Sequence, residues 1–120
     1  MRSSQSSGQI TVICGSMFAG KTEELIRRAR RALYAKQKVQ VFKPAIDSRY
    51  DEAMVVTHMG VRHEALAVAS VKELQKAVEK DTNFVGIEEV QFFSNEIIPM
   101  IVGLADKGVD VESVLPASFD

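Results

Sequence analysis

Residues 15–22 read Gly-Ser-Met-Phe-Ala-Gly-Lys-Thr, directly behind the apolar run Ile10 to Cys14 and ahead of a basic amphipathic stretch. This G-x-x-x-x-G-K-T spacing restricts the fold more than any other feature of the chain. It requires a strand, a tight glycine-bounded loop and a helix in immediate succession, so that backbone N–H groups and the positive end of the helix dipole converge on one point. Such a point suits a polyphosphate. Gly15 and Gly20 permit backbone angles and close approach that a Cβ would obstruct. Lys21 supplies a mobile point charge for β- and γ-phosphates, and the Thr22 hydroxyl is the expected Mg²⁺ ligand.

The remaining pattern alternates strands with helices. Gln9 to Cys14 reads as a strand buried on both faces of a parallel sheet. The helix that follows carries Leu25, Ala29 and Leu33 on one face with Ile26 beside them, turns its arginines outward and runs to about Gln37. Glu23 with Arg27 and Glu24 with Arg28 are i,i+4 pairs in the favourable orientation. Val39 to Phe42 is a second strand ended by Lys43-Pro44. The polar stretch Ala45 to Glu52 is a loop at a strand's carboxyl end, where open α/β sheets bind ligands. Met54 to Thr57 and Val61 to Val68 are short strands around Gly60. Ser70 and Glu73 form a capping box for a helix to Lys80. Phe84 to Ile87 is a buried strand ending in Glu88-Glu89. Ser94 to Lys107 is a third helix stopped by Gly108, with Pro99 expected to cost a hydrogen bond and bend its first turn. Val109 to Val114 reads as a last strand, although Asp110 and Glu112 are ill suited to a central parallel strand unless paired.

Composition excludes several classes. At 120 residues, 46% hydrophobic and 26% charged, with no apolar run approaching a membrane span, the chain reads as one soluble domain. A net charge of −1 gives no global attraction to nucleic acid, and Arg27, Arg28, Arg30 and Arg31 read as a solvated helix face. The polar residues 1–8 are expected to be a disordered leader. The single cysteine, Cys14, allows no internal disulfide and fits a reducing cytoplasm.

Phe84-Val85-Gly86-Ile87-Glu88-Glu89 has the form of the acidic partner motif of a phosphate loop, in which the first carboxylate holds Mg²⁺ directly or through water. Glu88 is then the metal-side acid. If strand geometry continues, Glu89 points the other way and can accept the proton of a substrate hydroxyl.

Taken together, Gly15-x-Met17-Phe18-x-Gly20-Lys21-Thr22, Lys43 to Tyr50, Thr57-His58-Met59-Gly60 and Glu88-Glu89-Val90-Gln91-Phe92-Phe93 closely resemble the zinc-containing, tetramer-forming thymidine kinases. The resemblance spans about Gln9 to Val111. It implies a P-loop NTPase-type α/β fold, a parallel sheet flanked by helices, and transfer of the γ-phosphoryl of ATP to the 5′-hydroxyl of thymidine with Mg²⁺. It implies Glu89 as catalytic proton acceptor, and Lys21 and Thr22 as phosphate and magnesium contacts. Met17 and Phe92 match positions lining the nucleoside pocket, and Asp47 and Arg49 match loop residues near the transferred phosphate. Ser16, Phe18, Ala19, Val90 and Gln91 complete the expected nucleotide-binding set. The departures are Ser16 in place of the family's usual proline and Glu88 in place of its aspartate. From Glu112 the sequence leaves the family pattern, so residues 9–111 read as the ATP-binding domain and 112–120 as an aberrant tail, with a change of reading frame as the expected origin. No zinc site is expected from Cys14, His58 and His63. The fold is expected to be incomplete at its carboxyl end, with weak or no turnover of thymidine. The residues alone leave two other readings open: a non-catalytic nucleotide-binding or subunit-interacting fragment, and a small P-loop ATPase or kinase for another substrate.

Overall fold

The computed structural model describes residues 7–15, 20–45, 54–56 and 62–116. In chain order the elements are β1 (Ile10–Gly15), α1 (Lys21–Tyr34), β2 (Val39–Pro44), β3 (Met54–Val56), β4 (Arg62–Glu64), β5 (Leu66–Val68), α2 (Val71–Ala77), β6 (Phe84–Ile87), a 3₁₀ turn (Val90–Phe92), α3 (Ile97–Asp106) and β7 (Asp110–Pro116). Five strands form one sheet in the order β1-β7-β6-β2-β5, parallel throughout. β3 and β4 pair separately as an antiparallel ribbon. Because all five sheet strands run the same way, their carboxyl ends share one edge of the sheet. The loop after β1 and the acids after β6 both leave from that edge.

Two apolar layers sandwich this sheet. Leu25, Ile26, Ala29 and Ala32 of α1 pack on Val41, Phe84 and Val114, while α2 and α3 cover Phe42, Val85, Ile87 and Val111 on the opposite face. Strand alternation explains the division, since Val41 and Phe42, like Phe84 and Val85, are neighbours that point opposite ways. All four residues of β6 are buried, as a central parallel strand requires. Gly86 in that strand leaves room for α1: a Cβ there would lie 3.0 Å from Leu25 Cδ1.

Several elements differ from expectation for identifiable reasons. β1 is an edge strand among the described residues, and its face carrying Ile10 (47% exposed), Val12 (54%) and Cys14 is not covered by either apolar layer. Only its α1-facing side, with Ile13, packs into an apolar layer. α1 ends at Tyr34: Lys36 adopts a left-handed φ of 63°, and Gln37 N–H closes on Ala32 O at 3.0 Å, so the helix cannot reach Gln37. Its buried stripe is Leu25, Ile26, Ala29 and Ala32, and Leu33 lies exposed. Nor do all its arginines face solvent, since Arg28 turns toward Glu112 on β7. Pro99 is the third residue of α3, where an N–H would have no partner within the helix, and it costs no bond there.

The capping residues behave as read. Ser70 Oγ accepts from Glu73 N–H at 3.1 Å, and the Glu73 carboxylate accepts from Ala69 N–H at 2.9 Å. β7 is an interior strand that separates β1 from β6, and it runs without interruption through residue 112, where the tail was expected to begin. Its two acids are both engaged: Asp110 Oδ1 accepts from Gln9 N–H at 2.9 Å, and Glu112 faces Arg28. Residues 1–6, 46–53, 57–61 and 117–120 lie outside the described residues, including most of the leader, most of the loop to Glu52, His58 and the end of the tail. Gly8, expected in the leader, is tied to the fold, its N–H donating to Ala105 O at 2.7 Å.

Candidate active site at the carboxyl edge of the sheet

The phosphate loop is held at both ends by regular structure. β1 delivers the chain to Gly15, and Gly20 returns it to α1 in a left-handed conformation, φ 79° and ψ 28°. A side chain would strain that backbone, and its Cβ would meet Glu23 Oε1 at 3.3 Å. Gly20 C=O accepts Glu24 N–H at 2.9 Å, so the helix begins at once and Lys21 and Thr22 occupy its first two positions. The partial positive charge of the helix start is therefore presented where the loop opens. Ser16, Met17, Phe18 and Ala19 lie outside the described residues, as do Asp47 and Arg49.

Beneath this helix start sits Glu88, one residue beyond β6 and only 6% exposed. Its N–H donates to Phe42 O at 2.9 Å, which ties the strand end to β2. The Thr22 hydroxyl is near enough to act on its carboxylate, so two residues far apart in sequence, both expected on the metal side, approach each other here. The carboxylate oxygen Oε2 is buried with no hydrogen-bond partner among the described residues. Burial raises the Glu88 pKa above the ordinary carboxylate range; the nearby Thr22 hydroxyl opposes this, the Glu89 charge adds to it, and the Lys21 charge opposes it. A buried oxygen without a partner, beside a hydroxyl and an ammonium group, suits a hard divalent cation. Among the described residues no three His, Cys, Asp or Glu side chains cluster as metal ligands. A cation here would draw its remaining ligands from phosphate and water, as Mg²⁺ commonly does.

Glu89 departs from strand geometry. Its backbone is left-handed, φ 48° and ψ 51°, and its C=O accepts Phe92 N–H at 3.1 Å to start the 3₁₀ turn. The opposite-face argument for Glu89 therefore does not apply; the left-handed kink turns the chain, and the side chain is exposed at the sheet edge. A non-glycine residue in this region costs about 1–3 kcal/mol and is held only by its surroundings. Here those are the 3₁₀ turn, which lies against β2 and β7, and Val90 and Phe93, which pack on the larger apolar layer. Gln91 is half-buried with Oε1 unpartnered among the described residues, and Phe92 is 54% exposed, both following Glu89 along the same turn.

One pair escaped the sequence reading. Arg28 Nη1 lies 3.5 Å from Glu112 Oε2, and Arg28 Nε donates to Glu24 Oε2 at 2.6 Å. The signal was present in part: an acid in a central strand needs a partner, and a cation on the covering helix is the nearest source.

A glycine-bounded loop feeding a helix, a hydroxyl and a buried acid meeting below it, and a strained glutamate beside them share the one edge of the sheet from which ligand loops leave. Nearly the whole chain, residues 8–119, matches the family model described as thymidine kinase, and the match includes β7. It spans the loop, both acids and every strand of the parallel sheet, and on that ground the chain belongs to the thymidine kinase family.

Proposed function

We propose that this chain binds Mg²⁺·ATP on the loop of residues 15–22 and passes the γ-phosphoryl group to the 5′-hydroxyl of thymidine. The observation that carries the reading is Glu88, buried at the end of β6 near Thr22 at the amino end of α1, with an oxygen unpartnered among the described residues. Lys21 contacts the β- and γ-phosphates, and the N–H groups of Ser16 to Thr22 cradle them. Thr22 and Glu88 hold Mg²⁺, which when bound neutralises charge on the β- and γ-phosphates. Glu88 is one methylene longer than the family's aspartate.

Glu89 accepts the proton of the thymidine 5′-hydroxyl as its oxygen bonds to the γ-phosphorus and the bridging bond to ADP breaks. The left-handed turn supports this role by presenting the carboxylate at the sheet edge and not along the strand. Met17 and Phe92 line the nucleoside pocket, Asp47 and Arg49 reach the transferred phosphate, and Val90 and Gln91 complete the wall behind it. Assembly as a homotetramer in the cytoplasm belongs to the same reading. No helix among the described residues is long and apolar enough to cross a membrane.

Calorimetry with Mg²⁺·ATP, followed by turnover of labelled ATP against a panel of nucleosides, tests the proposal. Binding that requires Mg²⁺, with thymidine the preferred acceptor, is the expected result. Binding without transfer to any nucleoside would leave a nucleotide-binding role, and preference for a different acceptor would overturn the choice of thymidine.

A further inference from the structure

Lys21 and Thr22 lie on the first turn of α1, so the angle at which α1 crosses the sheet decides where both side chains stand. Among the described residues an ion pair ties α1 to the sheet, Arg28 Nη1 on Glu112 Oε2 at 3.5 Å on β7. Six positions separate Thr22 from Arg28, which is about 9 Å along the helix axis. The packing around this pair is apolar: Leu25 rests over Gly86, Ile26 is buried beside it, and Ala29 and Ala32 present only methyl groups. Apolar burial of this kind is non-directional.

Glu112 is opposite Gly86 in the parallel register, where the missing side chain leaves width under α1. It is 8% exposed, and its Oε1 has no partner among the described residues. An apolar side chain would suit a central strand at least as well, because a buried ion pair seldom exceeds an apolar replacement in stability. Arg28 is held from both sides, by Glu24 on its own helix and by Glu112 on the strand. The guanidinium therefore converts the position of β7 into a fixed rotation of α1. We propose that Glu112 is a positioning residue that, through Arg28, fixes the rotation of α1 on the sheet and so keeps Lys21 and Thr22 aimed at the phosphates. This rests on the reading of residues 15–22 as a Mg²⁺·ATP site.

The test uses the full 120-residue chain with Glu112→Gln, Glu112→Val, Arg28→Gln and the double variant Glu112→Gln/Arg28→Gln. Each Glu112 variant should melt at or above the parent temperature, yet bind Mg²⁺·ATP about three- to tenfold more weakly. The double variant should bind no more weakly than Arg28→Gln alone, because the two side chains act as one unit. Amide exchange at Glu24 and Leu25 should quicken in every variant. Unchanged affinity, additive losses, or affinity that falls only in step with melting temperature would each overturn the inference. Absence of Mg²⁺·ATP binding in the parent chain would overturn the proposed function instead. In that event exchange at Glu24 and Leu25 still decides the positioning role, and unchanged rates in the variants reject it.

Discussion

Replacing Glu88 by glutamine should stabilise the fold and weaken magnesium nucleotide binding in the same molecule. Glu88 is 6% exposed and leaves Oε2 buried without a partner among the described residues. Glutamine keeps an acceptor oxygen and removes the charge, and relief of one poorly satisfied buried polar group is worth about 1–3 kcal/mol. In a domain of this size each kcal/mol corresponds to about 4 °C in melting temperature. The pH dependence has a definite sign. Burial raises the folded-state pKa of Glu88 above its unfolded value, so its contribution to stability is fully present below the unfolded pKa and is lost as pH rises through the folded one. The advantage of Glu88→Gln should be least near pH 4 and greatest near pH 8. Glu112, whose pKa burial also raises, is present in both proteins and cancels in the comparison. Addition of Mg²⁺·ATP should reverse the order, because only the parent keeps the anionic ligand, and loss of a charge-assisted contact of about 1.5–3 kcal/mol weakens binding at least tenfold. Thermal melts at both pH values with and without Mg²⁺·ATP, backed by calorimetry, measure each part. A variant that melts at or below the parent at pH 8, or binds Mg²⁺·ATP equally well, would refute the reasoning.

Lys21→Ala should weaken ATP by about 1.5–3 kcal/mol while leaving the melting temperature near that of the parent, as calorimetry and thermal melts would show. Glu89→Gly should relieve the left-handed backbone at φ 48° and raise stability by about 1 kcal/mol, while phosphoryl transfer falls by about 10²–10⁴ with ATP binding retained; retained turnover would remove Glu89 from its proposed role. Gly86→Ala should bring a methyl to 3.0 Å from Leu25 Cδ1 and cost about 1–3 kcal/mol, measured by denaturant unfolding.

Much of the site was legible because its parts are local. The loop spacing requires glycine at position 20, and Gly20 adopts the left-handed geometry that a following helix demands. Ser70 and Glu73 announce a helix start three residues apart, and the unbroken apolar run Phe84 to Ile87 announces a central strand. Glu88 could be named from its place after that strand.

Strand order and the fate of the acids were not legible in the same way, because they depend on residues far apart in the chain. The burial expected for both faces of β1 failed because neither apolar layer reaches the face that carries Ile10 and Val12. Strand Asp110–Pro116, whose acids read as a fault in sequence, became central once Arg28, 84 residues away from Glu112, came within reach. The reversal at Glu89 likewise follows from the 3₁₀ turn packing over β2 and β7, since nothing in the residue type favours a positive φ there. Local sequence determined which segments are strands, helices and turns, because caps, glycines and periodicity act over a few residues. Tertiary structure alone decided which strand stands between β1 and β6 and which cation meets Glu112, because only the closed sheet, with α1 laid across it, brings those side chains together.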